Sequence, residues 1–140
     1  MKTSLIATLS TALLVAAPAF AQDAANGEKE FRKCKACHMV QAPDGTDIVK
    51  GGRTGPNLYG IIGRAAGAQD GFRYSTGIAA AAEAGLVWDE ENLVTYAADP
   101  KKFLEEFTGD SSVRSSMSFK LPRGGEDVAA YLASVAPAAE

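Results

Sequence analysis

The residues best suited to chemistry lie together in one short segment. Cys34, Cys37 and His38 fall within the five residues CKACH, and the sequence of 140 residues contains no other cysteine or histidine. Cysteines three positions apart lie on one side of a helical turn. Three kinds of site use such residues: a redox-active dithiol or disulfide, a metal site, and a point of covalent haem attachment.

The sequence around the motif bears on the first two kinds of site. A thioredoxin-like dithiol is expected in a βαβ context, whereas the segment before Cys34, DAANGEKEFRK, favours a helix. A structural zinc site needs four protein ligands. A carboxylate would therefore have to join the two cysteines and the histidine, which is an unusual ligand set.

Haem attachment uses all three residues without any addition. The two thiols add to the two vinyl groups on one edge of the porphyrin, and the imidazole of the following histidine lies beneath the ring, where it can bind iron. Cys-x-x-Cys-His is a signature of c-type haem. We therefore predict one covalently attached haem c, bound through Cys34 and Cys37, with His38 as an iron ligand.

A second axial ligand is also predicted, because His38 fills only one of the two axial positions. With no second histidine and both thiols used, methionine is the usual partner in electron-carrying cytochromes. Met1 belongs to an N-terminal signal, and Met39 is tied beside His38 on the wrong face of the ring. Met117 is the methionine that remains. The alternatives are a core role for Met117 and an open sixth position, as in a haem peroxidase.

The N-terminus has the features of a secretory signal. Lys2 is followed by an uncharged run over residues 5–20 and by the small-x-small pattern Ala-Phe-Ala at 19–21. The run is short for a membrane span, and polar sequence follows at once. We predict that residues 1–21 are a cleaved signal peptide and that the mature protein reaches a bacterial periplasm; an uncleaved anchor is the alternative.

The mature chain, residues 22–140, has a length that suits one domain. Without Lys2 it carries 13 basic and 17 acidic residues, a net charge of −4. This balance argues against nucleic-acid binding, which requires a basic surface. No later segment approaches ~20 apolar residues, so no membrane span is expected. A monomer is predicted.

Helix signals recur along the mature chain, while strand alternation is absent. Asp23 and Asp89 are suited to cap helices, Gly85 and Pro100 mark helix ends, and the stretch 41–64 has the glycines and prolines of a loop. The fold class predicted is all-α. The expected helices run from Asp23 into the CKACH motif and over approximately 75–84, 90–98, 101–107 and 125–136.

Four segments, read together, resemble one family. CKACH, TGPNLYGIIGR at 54–64, DPKKF at 99–103 and SSMSFKL at 115–121 are similar to those of class I soluble cytochromes c, in particular the bacterial cytochrome c2 and c550 type. The resemblance covers essentially the whole mature chain. It implies a cytochrome c fold around one haem, and a carrier that shuttles single electrons between Fe²⁺ and Fe³⁺ rather than an enzyme.

The resemblance also implies roles for individual residues. Pro56 corresponds to the proline whose carbonyl accepts the N–H of the axial histidine. Arg64, Tyr74 and Trp88 correspond to partners of the haem propionates, although Trp88 could equally be a core residue. The remaining matches are Tyr96, near the methionine ligand, and Gly27, Phe31 and Tyr131, where the first and last helices cross.

The family resemblance implies membrane redox complexes as partners. The donor would be a cytochrome bc1 complex, and the acceptor a photosynthetic reaction centre, a terminal oxidase or denitrification enzymes. These partners would dock on a basic patch around the exposed haem edge. The patch predicted here consists of Lys33, Lys35, Lys101, Lys102, Lys120 and Arg123, while Ser116 stands where many relatives have another lysine.

Overall fold

The computed structural model describes residues 23–136, so the predicted signal peptide lies outside the described part. Within it the chain is mainly helical, in agreement with the all-α prediction. None of the helices in residues 23–136 has the length and apolar character needed to cross a bilayer. The elements are α1 (Ala24–Glu30), a 3₁₀ turn (Phe31–Lys33), β1 (Val40–Gln41), β2 (Asp47–Val49), α2 (Thr76–Glu83), α3 (Glu90–Ala98), α4 (Pro100–Thr108) and α5 (Gly125–Ser134).

Side-chain caps mark where four of the helices begin, and in α2 the Ser75 hydroxyl accepts the Ile78 N–H at 3.4 Å. The Asp23 carboxylate accepts two backbone N–H groups of the first turn of α1. Asp89 and Asn92 form a reciprocal capping box at the start of α3. Asp99 ends α3 and caps α4, whose first residue is Pro100. Because a proline at this position loses no helical hydrogen bond, two helices can follow each other with a single residue between them.

The first and last helices pack against each other at a close crossing. A Cβ atom at Gly27 would lie 1.9 Å from the carbonyl oxygen of Asp127 on α5, so only glycine fits there. The rings of Phe31 and Tyr131 lie beside this point, with centroids 5.7 Å apart. The helix contact that the resemblance implied is therefore present.

The predicted loop over 41–64 begins with a small β-ribbon, so the expectation of no strands was wrong here. β1 and β2 pair antiparallel, with Val40 opposite Val49. Gly45, with φ of 88°, lies in the turn between them. Strands of two and three residues are too short to produce a visible alternation of apolar and polar side chains, which explains why the sequence did not reveal them.

An aromatic cluster on α3, α4 and the preceding segment forms part of the core. The ring centroid of Trp88 lies 5.0 Å from that of Tyr96 and 6.1 Å from that of Phe103. Tyr96 and Phe103 meet edge to face at 5.8 Å. Such contacts bury large areas and hold each ring in one orientation. Trp88 and Tyr96 therefore provide a rigid wall for the cavity described next.

Candidate functional site

The four predicted site residues line a single cavity. Cys34, Cys37, His38 and Met117 all border a cleft of about 330 Å³. Met39, the other methionine of the mature sequence, does not line it. The remaining walls are mainly apolar and include Leu58, Ile61, Phe72, Ile78, Trp88, Leu93 and Phe119.

A tight continuation of α1 places the two cysteines. The backbone N–H of Cys34 donates to Phe31 O at 2.8 Å, and the N–H groups of Cys37 and His38 both donate to Cys34 O. The motif is therefore wound like a helical turn, as the three-residue spacing predicted. Cys34 is half-buried and Cys37 is exposed.

The environment of the thiols differs from that of a dithiol enzyme or a zinc site. Burial raises the pKa of Cys34 to about 11, whereas reactive thiols in redox enzymes have lowered pKa values. Among residues 23–136 no three Cys, His, Asp or Glu side chains form a group that could hold a metal ion. Neither the dithiol nor the zinc interpretation gains support from the structure.

His38 is held with one nitrogen free. Its Nδ1 lies 2.9 Å from the carbonyl oxygen of Pro56. Because a carbonyl only accepts, Nδ1 carries the proton, and Nε2 keeps a lone pair for a metal. Burial lowers the pKa of His38, which keeps the ring neutral at neutral pH. Gly55 lies against the ring, where a Cβ would come within 2.3 Å of Cε1.

Two further glycines press the chain against the CKACH turn. A Cβ at Gly51 would lie 1.9 Å from His38 O, and a Cβ at Gly52 would lie 2.1 Å from Ala36 O. Side chains at these positions would push the segment off the motif. The sequence analysis assigned no role to these residues, although the clustered glycines of KGGRTG could have indicated a close approach.

One wall of the cavity is suited to carboxylates. The Arg64 guanidinium donates to Asn57 O at 2.7 Å and to Tyr59 O at 3.3 Å, and it makes no ion pair within the described residues. Burial lowers the pKa of Arg64, but an arginine stays charged. Tyr74 and Trp88 line the same cavity, so a positive charge and two further donors border it.

The Asn57 side chain joins the loops of this wall, a role the sequence analysis missed. Its Oδ1 accepts the Gln41 N–H at 3.0 Å, and its Nδ2 donates to Gln41 O at 2.8 Å. The Asn57 N–H donates to Gln69 Oε1 at 2.8 Å. Asn57 thus links β1 to the segment that carries Arg64 and fixes the carbonyl that Arg64 uses.

Comparison of the whole chain with known proteins gives consistent results. No family model matches it. Cytochrome c2 of Rhodobacter capsulatus is 58% identical over 135 residues, which are 96% of this chain and 98% of that protein. Cytochrome c-550 of Paracoccus versutus is 57% identical over 141 residues, or 98% and 91% of the two chains. The chain belongs to the class I cytochrome c family.

Solved structures agree with this family assignment. The X-ray structure of ferric cytochrome c-550 from Paracoccus versutus matches this cytochrome with a TM-score of 0.80 at 58% identity, over 82% of this chain and 98% of that one. Cytochrome c2 of Rhodobacter capsulatus gives 0.79 at 57% identity, over 81% and 97%. The predicted family and the all-α fold are both confirmed.

Family membership settles the cofactor and the class of activity. Cytochromes c2 and c-550 carry one covalently attached haem c and are electron carriers, not enzymes, and the same holds for this cytochrome. The cavity fits such a group. It combines two cysteines, a neutral imidazole with a free Nε2, apolar walls and an arginine that has no counter-ion among residues 23–136.

The predicted docking cations are mostly engaged in ion pairs, which the sequence analysis did not foresee. Four of the six contact a carboxylate, and the other two, Lys35 and Arg123, make no ion pair within residues 23–136. The i,i+4 spacing of lysine and glutamate on α4 could have indicated two of these pairs. The pairs are Lys33–Glu30, Lys101–Glu105 (2.9 Å), Lys102–Glu106 (3.7 Å) and Lys120–Asp99 (2.6 Å).

Proposed function

We propose that this cytochrome is a periplasmic carrier in which Cys34 and Cys37 hold the haem by thioether bonds and His38 and Met117 bind its iron. The bound haem supplies the Fe²⁺/Fe³⁺ couple. The observation that carries the proposal is that these four side chains line the same cavity although Met117 is far from the motif in sequence. No bond of a substrate is made or broken.

Each proposed ligand would be tuned by its neighbours. The hydrogen bond from His38 Nδ1–H to the Pro56 carbonyl fixes the tautomer and increases the basicity of Nε2. A thioether at Met117 raises the reduction potential relative to a second histidine. Arg64, Tyr74 and Trp88 would hydrogen-bond to the propionates and compensate the cost of burying them.

Mass spectrometry of the protein purified from its host tests the attachment and the processing site together. We expect the mass of the polypeptide beginning at Gln22 plus one haem, and we expect acidified organic solvent to leave the colour with the protein. Extractable haem or two titratable free thiols would refute the thioether bonds. A mass that includes residues 1–21 would refute the signal cleavage.

The proposed partners are membrane redox complexes, with a cytochrome bc1 complex as donor. The acceptor is a photosynthetic reaction centre, a terminal oxidase or a denitrification enzyme. Docking would use the six predicted basic residues, of which Lys33 lines the cavity. Their ion pairs do not prevent this, because exposed pairs contribute only about 0–1 kcal/mol, so acidic groups of a partner can replace the intramolecular carboxylates.

Gene deletion distinguishes the acceptors. Loss of photosynthetic growth alone would indicate the reaction centre, and loss of aerobic or denitrifying growth would indicate the corresponding respiratory enzyme. Normal growth under every condition would contradict an essential role in these chains.

A further inference from the structure

The hydroxyl group of Ser115 holds the backbone of Met117 from two sides. Ser115 Oγ donates to Met117 O at 3.0 Å and accepts the Met117 N–H at 3.2 Å. A serine hydroxyl has one proton and two acceptor lone pairs. These two hydrogen bonds use its only proton and one lone pair, so one acceptor position is left.

Tyr96 is the side chain of α3 that lies beside Ser115. Tyr96 lines the cavity, and its ring is fixed by edge contacts with Trp88 and Phe103. Burial raises the pKa of Tyr96, and a hydrogen bond with Ser115 partly offsets this rise. This hydrogen bond joins Ser115 to a residue of α3.

The segment around Met117 has few other tethers. Backbone hydrogen bonds tie it to α2 on one side and α3 on the other, Gly77 to Arg114 (3.0 Å) and Leu121 to Ala97 (2.8 Å). Between these points, within the described part of the chain, the backbone of Met117 makes hydrogen bonds only to Ser115. Ser116, Ser118 and Phe119 line the same cavity as Met117.

We propose that Ser115 is the positioning residue for Met117: its hydroxyl, bonded to both the N–H and the carbonyl of Met117, holds this backbone in the conformation that keeps the thioether on the iron. This inference rests on the proposed role of Met117 as the sixth ligand. An external ligand can bind the iron only in molecules in which Met117 has left it. The smaller the fraction of such open molecules, the weaker the apparent affinity for the external ligand. Ser115 lowers that fraction.

Imidazole binding to the ferric holoprotein measures this fraction. We expect Ser115→Ala to raise the imidazole association constant about tenfold, the size expected for loss of roughly two hydrogen bonds of this kind. Tyr96→Phe should give a smaller increase, because Ser115 keeps both bonds to Met117. Ser111→Ala is the matched control: this exposed serine does not line the cavity and its side chain makes no hydrogen bond within residues 23–136, so the variant should bind imidazole with wild-type affinity.

A second pair of variants separates the hydroxyl from side-chain shape. Ser115→Thr keeps the hydroxyl and should bind imidazole like the wild type, whereas Ser115→Val has the same shape as threonine and should bind about tenfold more tightly. Equal affinities in this pair, or a wild-type affinity in Ser115→Ala, would overturn the proposal.

The proton NMR spectrum of the reduced proteins shows which proposal has failed if the affinities do not change. A methionine methyl resonance shifted far upfield marks a methionine bound to haem iron. If the wild type shows this signal and the Ser115 variants bind imidazole normally, the role of Ser115 is wrong and Met117 remains the ligand. If the wild type lacks the signal, the ligand assignment itself is wrong.

Discussion

His38 and Met117 are held in different ways, although both face the same cavity. His38 is partly buried, hydrogen-bonded to Pro56, and pressed by Gly55. The backbone of Met117, within residues 23–136, is hydrogen-bonded only to Ser115. The imidazole side of the iron should therefore be rigid, and the thioether side should be the side that opens when ligands exchange.

Substitution of Met117 tests the proposed ligand by its effect on the potential. Met117→His should lower the reduction potential on the order of 0.2 V, within the ~0.8 V range that axial ligands command, because thioether sulfur favours the ferrous state. Met117→Ala should open the sixth position and introduce peroxidase-like reactivity. Redox titration and a peroxide assay measure the two effects. An unchanged potential in Met117→His would show that another group binds the iron.

The sequence predicted the reactive residues but not the parts that support them. CKACH and the lone remaining methionine indicate their chemistry by residue type and spacing alone. Gly51 and Asn57 act through contacts with residues more than ten positions away. Such contacts depend on how loops meet in space, which residue type does not encode.

At the level of helices, the crossing of α1 and α5 depends on one glycine. Gly27→Ala would place a methyl group 1.9 Å from the Asp127 carbonyl oxygen, and the helices would have to separate. We expect a loss of about 3 kcal/mol in the free energy of unfolding. Denaturant unfolding of the holoprotein measures it. The exposed neighbour Glu28, replaced by alanine, is the control and should change stability by about 0.5 kcal/mol or less. If both variants have the same free energy of unfolding, the two helices can accommodate the added methyl group without a loss of stability.

The same crossing carries a pH-dependent hydrogen bond. The Asp127 carboxylate accepts the Asp23 N–H at 2.9 Å and the Asn26 Nδ2–H at 2.6 Å, and these bonds lower its pKa. Because the pKa of Asp127 is lower in the folded protein than in the unfolded chain, its carboxylate stabilises the fold at pH values above the ordinary pKa of ~3.9. This stabilisation is lost as the pH falls through the folded-state pKa.

Unfolding measured across pH tests this contribution. Asp127→Asn should be less stable than the wild type at neutral pH, and the difference should shrink as the solution becomes more acid than about pH 4. Asp70→Asn, at an exposed aspartate without hydrogen bonds among residues 23–136, is the matched control and should follow the wild-type curve. A constant difference between wild type and Asp127→Asn down to strong acid would contradict a role for the carboxylate charge.

Helix starts were well predicted because capping is local. Asp23 and Asp89 bond to N–H groups within three residues, so the sequence around them contains the whole interaction. The β1–β2 ribbon depends instead on pairing across a turn. Its two- and three-residue strands leave no periodic signal, and for this reason the segment was predicted to be a loop.

On the scale of the whole molecule, electrostatics should govern encounter with partners. An acidic protein can still meet acidic complexes through local cations, and such steering raises association rates and is screened by salt. The sequence suggested six cations for this surface, and of these Lys33 lines the cavity. It could not predict pairs such as Lys120–Asp99, which join residues 21 positions apart.

Opposite charge changes on α4 test the docking surface. Replacing Lys101 and Lys102 by glutamate should slow electron transfer to a bc1 complex or reaction centre on the order of tenfold at low salt, with little change at high salt. Neutralising their partners, Glu105→Gln with Glu106→Gln, frees both lysines and should raise the rate. Flash or stopped-flow kinetics across a salt series measure both, and an unchanged reduction potential is the control. If the electron-transfer rate depends neither on salt nor on the lysine and glutamate substitutions, the partner docks on a surface other than α4.

The assignment of His38 and Met117 as the two iron ligands is tested most directly by the proton NMR spectrum of the reduced protein. We expect one methionine methyl resonance shifted far upfield by the haem ring current in the wild type, and its loss in Met117→Ala. Met39→Leu should retain it, since Met39 does not line the cavity. Absence of this resonance from the wild type, or its survival in Met117→Ala, would contradict the account.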